Sequence, residues 1–270
     1  MAHGNAISSG AQASLTVTLS GAVAVGDLVV HGLFYGDDAT TASVNDATLG
    51  AGKDSLGNVY STLGPLDFTS DGDFLYVFYS VITVAGTPAI RFLASGGTHN
   101  FKDAWSTKTP TNVFTLDQAI TSHYNSTPGG TLTAGNQTPT GSLGYAFNVY
   151  AATASLNAFT AGGTPVFTER DETSDGFVVF QDFAYSSNAN ITGAASTNQT
   201  VENGGILVLF KDASGGASAD VLIRYGNVAQ TQGSGLLTAA FLSTAVATLG
   251  GGAYFLRRRQ WDETVTWEDL

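Results

Sequence analysis

The groups from which a site could be built are four histidines, 22 acidic side chains and many hydroxyls in a chain of 270 residues. His3, His31, His99 and His123 stand far apart, with no i, i+4 pair and no zinc-ligand spacing. His31 sits inside the apolar run Leu28–Tyr35 and reads as a core or rim residue. No G-x-S-x-G elbow or S-x-x-K pair activates a serine. Glycine runs such as Gly250–Gly252 lack the Lys-Ser/Thr of a phosphate loop. A glycosidase needs two carboxylates ~5–9 Å apart, and the acids here are too numerous for spacing to single out a pair.

Three acidic clusters stand out: Asp37/Asp38, Asp71/Asp73 and Glu169/Asp171/Glu172/Asp175. Calcium takes roughly six to eight oxygens converging on one point, and none of the clusters has EF-hand spacing. They read as solvated turn residues that keep strand edges soluble. The expectation is a chain without catalytic residues, cofactor or metal ligands.

Composition narrows the class further. Charged residues are only 12% of the chain and hydrophobic ones 43%, with 33 glycines. That mixture suits short strands joined by tight turns. A formal charge of −12 argues against nucleic acid as a partner, because phosphate demands a basic surface. With no cysteine there is neither a disulfide nor a thiolate metal site. The N-terminal MAHGNAISSGAQASLTVTL has no basic segment leading into an apolar one, so it does not read as a secretory leader.

Apolar and polar positions alternate from residue 14 to about 210, the period of half-buried strands. Strands are expected at Leu15–Leu19, Leu28–Tyr35, Val59–Leu63, Phe74–Val81, Ala89–Leu93, Tyr145–Ala151, Phe177–Tyr185 and Ile206–Lys211. A faint duplication runs through them. TSDGDFLYVFYS at 69–80 is echoed by TSDGFVVFQDFAYS at 173–186, and GDLVVHGLFY at 26–35 by GSLGYAFNVY at 141–150. The fold class expected is all-β, an antiparallel β-sandwich of jelly-roll or immunoglobulin-like type. Quasi-repeats would span about 14–125 and 140–211 within a sandwich unit of residues 1–211. The absence of a Pro-rich or charged linker favours a shared core over two tandem ones.

The run VGDLVV…DSLGNVYSTL…DGDFLYVFYSV…AGTPAIRF, with its echo FTAGGTPVFTERDETSDGFVVFQDFAYS, resembles β-sandwich modules of phage virion proteins and of bacterial surface proteins. In those modules a GDLLV strand, a DS.GN.Y hairpin and an AG…T strand recur. The resemblance covers about residues 22–211 and rests on turn signals. It implies a fold and no shared chemistry.

Residues 212–270 differ in character: a further strand over Asp220–Gln230, an apolar helix and a short docking tail are expected there. Gly235–Leu256 carries no charge and is followed by Arg257, Arg258 and Arg259. As a helix it would reach ~33 Å, about the thickness of a bilayer core. Leu242, Val246 and Leu249 fall at helical spacing. The contact residues expected are Leu236, Leu237, Phe241, Leu242, Val246, Leu249, Tyr254, Phe255, Leu256, the three arginines, Trp261 and Trp267. Three settings stay open for them: burial against other protein subunits, a membrane span with interfacial aromatics and the arginines on the cytoplasmic side, or an ordinary helix within the domain. Thr238, Ser243, Thr244, Thr248 and three glycines weaken the span.

The function expected is that of a non-enzymatic bacteriophage virion protein, a capsid decoration, spike or tail-associated subunit. Its apolar arm would join other copies of itself and other virion proteins. The alternative is a bacterial cell-surface adhesin or glycan-binding module, held in the membrane through 235–256 and facing a host-surface glycan.

Overall fold

The computed structural model describes residues 2–36, 41–68, 72–110, 113–118, 121–125, 131–153, 159–198, 202–212, 246–249 and 252–255. By contacts the chain divides into two units, Met1–Ala213 and Ser214–Leu270. The first is all-β with antiparallel pairing throughout its named strands.

In its first half, five strands form one sheet in the order β1 (His3–Ile7), β9 (Phe101–Lys108), β3 (Leu28–Tyr35), β7 (Asp73–Val81) and β6 (Ser61–Phe68). A four-stranded sheet runs β2 (Ser14–Thr18), β8 (Ala89–Ala94), β4 (Ala42–Asp46), β5 (Gly50–Ala51). The second half repeats the plan. One sheet runs β10 (Phe114–Leu116), β18 (Asn203–Asp212), β13 (Gly144–Ala152), β16 (Val178–Tyr185), β15 (Thr168–Glu172), with β11 (Thr121–Asn125) also on β18. The other runs β12 (Thr131–Gln137), β17 (Ile191–Thr197), β14 (Phe159–Ala161).

The two central sheets have corresponding strand orders, β1-β9-β3-β7-β6 and β10-β18-β13-β16-β15. Tyr35 stands opposite Phe74 and Phe101, and Tyr150 stands opposite Val179 and Gly205. The turns before β7 and β16 carry Gly72 and Gly176 at φ 67° and 72°, a left-handed conformation that favours glycine. Both edge strands, β6 and β15, carry a register shift, at Leu63/Leu66 and Glu169/Asp171. Such bulges blunt an edge against further pairing.

Alternation sends successive side chains of each central strand to opposite faces. Val29, Leu33 and Tyr35 face β2 and β8, where Leu15, Val17, Ile90 and Phe92 complete one core. Leu28, Val30 and Phe34 face the other way, onto Phe147, Val149, Phe180, Ile206 and Val208. Ala146, Tyr150, Val179 and Leu207 then meet Ile191 and Ala195 in a third core. The sequence favours one shared core; the fold has one in the middle and one inside each half. Sheets covered on both faces explain why all eight residues of β3 are buried.

The Asp54-Ser-Leu-Gly-Asn58-Val-Tyr60 turn shows what its motif does. Asp54 Oδ1 accepts the N–H groups of Leu56 and Asn58 at 2.9 and 3.0 Å. Asn58 Oδ1 accepts the N–H groups of Thr83 and Val84 at 2.9 and 2.7 Å, and its amide donates to Asp54 and to Val84 O. Asp54 and Asn58 are fully buried, and Tyr60 enters the first core. The motif is a staple between two loops.

In the second unit, β19 (Val246–Leu249) pairs antiparallel with β20 (Gly252–Phe255). The remainder of the expected helix, the strand over Asp220–Gln230 and the docking tail lie outside the described residues. Among the described residues no helix is long and apolar enough to cross a membrane.

Candidate functional site

Two polar constellations are built into the first unit. One is sealed in the first core. His31 on β3 and Asp103 on β9 are both fully buried, with Nδ1 and Oδ2 2.8 Å apart. The imidazole is boxed by Phe92, edge-on at 5.2 Å, and by Tyr60 and Trp105. Burial pushes the Asp103 carboxyl up, and His31 partly offsets that. Burial, then the Asp54 and Asp103 carboxylates, push the Tyr60 phenol well above its ordinary range. Among the described residues, His31 Nε2, Asp103 Oδ1, Tyr60 Oη and Ser80 Oγ have no hydrogen-bond partner. A His–Asp couple orients an imidazole for acid–base work. This one is closed to solvent and packed on by aromatic rings.

The second constellation is a charged seam where the two halves meet. Lys102 and Lys108 lie on the middle-core face of β9, one either side of Ala104. Lys102 Nζ is 2.9 Å from Asp175 and 4.5 Å above the Phe177 ring. Lys108 Nζ is 2.5 Å from Asp182 Oδ2 and 5.2 Å from the Tyr145 ring. Arg170, at the bulge of β15, reaches the other oxygen of Asp182 through Nη2 at 2.8 Å and Nε at 2.9 Å. Lys108 and Asp182 are 2% and 1% exposed. Burial pushes the Lys108 amine down while Asp182 pulls it back, and Asp182 drives Arg170 up. Further along, Asp171 accepts from Asn5 and faces His3 Nδ1 at 3.4 Å.

Apart from Arg170, the donors come from the first half, and the carboxylates Asp171, Asp175 and Asp182 come from the second. The opposite side of the middle core is apolar, with Leu66, Leu75 and Val77 against Ile206, Val208 and Phe210, and Tyr79 edge-on to Phe210 at 4.8 Å.

At one end of the seam Phe34, Gly36, Asp73, Asn100, Lys102 and Phe177 line a cleft of about 170 Å³. The acidic clusters separate here. Asp73 lines the cleft and Asp175 pairs with Lys102, while Asp37, Asp38 and Asp71 lie outside the described residues. Glu169, Asp171 and Glu172 lie along edge strand β15. Burial, then the neighbouring Glu169, push Glu172 up to about 7. Among the described residues no three His, Asp or Glu converge as metal ligands. His3 and His123 lie on β1 and β11, and both ring nitrogens of His99 face carbonyl oxygens, Gly36 O and Ser95 O, at 3.0 Å.

Of the expected contact residues, Val246 and Leu249 fall on β19, and Tyr254 and Phe255 on β20. Leu236, Leu237, Phe241, Leu242, Leu256, Arg257, Arg258, Arg259, Trp261 and Trp267 lie outside the described residues. Comparison with protein families, with curated proteins and with solved structures gives no match for this chain.

Asp103, Lys108, Arg170 and Asp182 escape the reading of the sequence. A signal for three of them was present: charges set within the strand runs FKDAWSTK and VVFQDFAY, where a buried ion requires a partner.

Proposed function

We propose that the chain is a non-enzymatic structural subunit of a bacteriophage virion, a capsid decoration, spike or tail-associated protein. The observation that carries this reading is the doubled scaffold. Its halves share a buried middle core and an ion-paired seam, so the two act as one stiff body. Its polar clusters are spent inside the fold, holding strands and loops in place. Residues 235–256 supply the apolar surface with which copies of this chain and other virion proteins assemble. A two-stranded ribbon such as β19–β20 is marginal by itself in water, which favours its completion by a neighbour.

The test compares the full chain with a chain ending at Ala213 during particle assembly. The full chain should enter particles, or form defined oligomers in detergent-free buffer, and the truncated one should stay monomeric. Equal incorporation of both would overturn the reading.

The alternative, a cell-surface module that binds glycans, draws support from the cleft at Lys102, where amide, acid and ammonium groups meet aromatic rings. Under it, the truncated chain would be a soluble monomer that still binds glycan, and the full chain would partition into lipid vesicles.

A further inference from the structure

The contact between Lys108 and Asp182 has features that an ordinary ion pair does not need. The two side chains come from different halves, β9 and β16, and are almost completely enclosed. Lys108 Nζ approaches Asp182 Oδ2 to 2.5 Å, closer than the roughly 2.7–2.9 Å of an ordinary ammonium–carboxylate contact. The amine is thus held in direct contact with the carboxyl group. The other oxygen, Oδ1, is gripped by two nitrogens of Arg170.

We propose that Lys108 and Asp182 condense to an intramolecular amide, an isopeptide cross-link that ties β9 to β16 across the seam between the halves.

The step balances with no added reactant. A proton passes from the Lys108 ammonium to Oδ2, which leaves a neutral amine and a carboxylic acid. Nζ attacks Cγ, and the charge that develops on Oδ1 is held by the Arg170 guanidinium, as an oxyanion site would hold it. The Cγ–Oδ2 bond breaks, Oδ2 departs as water with two of the three ammonium protons, and Nζ keeps the third. Fixed contact between amine and carboxyl replaces a bimolecular encounter. Enclosure narrows the gap between the ion pair and the neutral pair, because charges taken out of water lose their solvation. Burial pushes the Lys108 amine in the required direction. Enclosure also denies water to the reverse reaction. In a chain without cysteine, the bond would do the work of a disulfide between the halves.

The test is the mass of the folded full chain. It should be one water lighter than its sequence. Asp71-Gly72 and Asp175-Gly176 can also lose water, as succinimides, so the position of the loss is decisive. An acylated Lys108 resists trypsin, and digestion should leave residues 103–170 joined to residues 171–211, with fragment ions placing the branch between Lys108 and Asp182. Lys108→Arg and Asp182→Ala should each restore the full mass. Where those variants fail to fold, the wild-type chain held in strong denaturant from synthesis onward should keep its full mass and lose water only after refolding. A folded chain of full mass that trypsin cleaves after Lys108 would overturn the proposal. So would a water loss confined to the Asp-Gly positions.

Discussion

Gly32 on β3 and Val149 on β13 meet across the middle core so closely that a Cβ on Gly32 would overlap the Val149 side chain. The two belong to different halves, and their approach sets how near the central sheets can lie. Gly32→Ala should therefore destabilise the fold by about 1–3 kcal/mol through overpacking. Val149→Ala in the same chain should recover part of that loss. Urea unfolding of the single and double variants measures the coupling, and strictly additive effects would contradict the contact.

His31 and Asp103 form a buried pair whose members have no solvent to fall back on. Asp103→Ala leaves the imidazole without its partner and should cost about 3–5 kcal/mol. Replacing both, as His31→Phe with Asp103→Leu, should cost clearly less than the single change. Denaturation midpoints of the three chains decide it.

Glu172 holds its proton up to about pH 7 in the fold, against an ordinary value of 4.5. Between those two values the native state binds more protons than the unfolded chain, so this group makes stability fall as pH rises through the window. Its contribution is fully present below pH 4.5 and lost above pH 7. The difference in unfolding free energy between wild type and Glu172→Gln should thus change across the window, with the variant gaining relative to wild type as pH rises. A difference independent of pH would rule out the raised value.

Asn58 joins its own turn to the Thr83–Val84 loop through both ends of its amide. Asn58→Ala removes the acceptor of the Thr83 and Val84 amides and a donor to the buried Asp54 carboxylate, and should cost about 1–3 kcal/mol. Hydrogen exchange at Thr83 and Val84 should accelerate well before global unfolding. Unchanged protection at those two amides would show that the staple is dispensable.

How much of this was legible beforehand differs from strand to strand. β3 carries the bounds expected for it, Leu28–Tyr35, and β7, β8, β13, β16 and β18 lie where their apolar runs place them. β6 begins at Ser61 where Val59 was expected, because Val59 and Tyr60 pair instead with Lys53 and Gly52. β9 was missed altogether. Its Lys102, Asp103 and Lys108 break the alternation, since a strand covered on both faces can bury charge wherever a partner waits. β15 was missed for a related reason, its five residues TERDE being an edge that needs charge to stay unpaired.

Turn chemistry and the two-residue period are properties of neighbours along the chain, so residues 14–210 announce their strands without help. Partnership is different. That Lys108 meets Asp182, that His31 meets Asp103, and that the repeats share a middle core depends on which strands lie face to face across layers. No local pattern encodes those distances, because a buried charge records only that it needs a partner, and chain folding over long separations supplies which one.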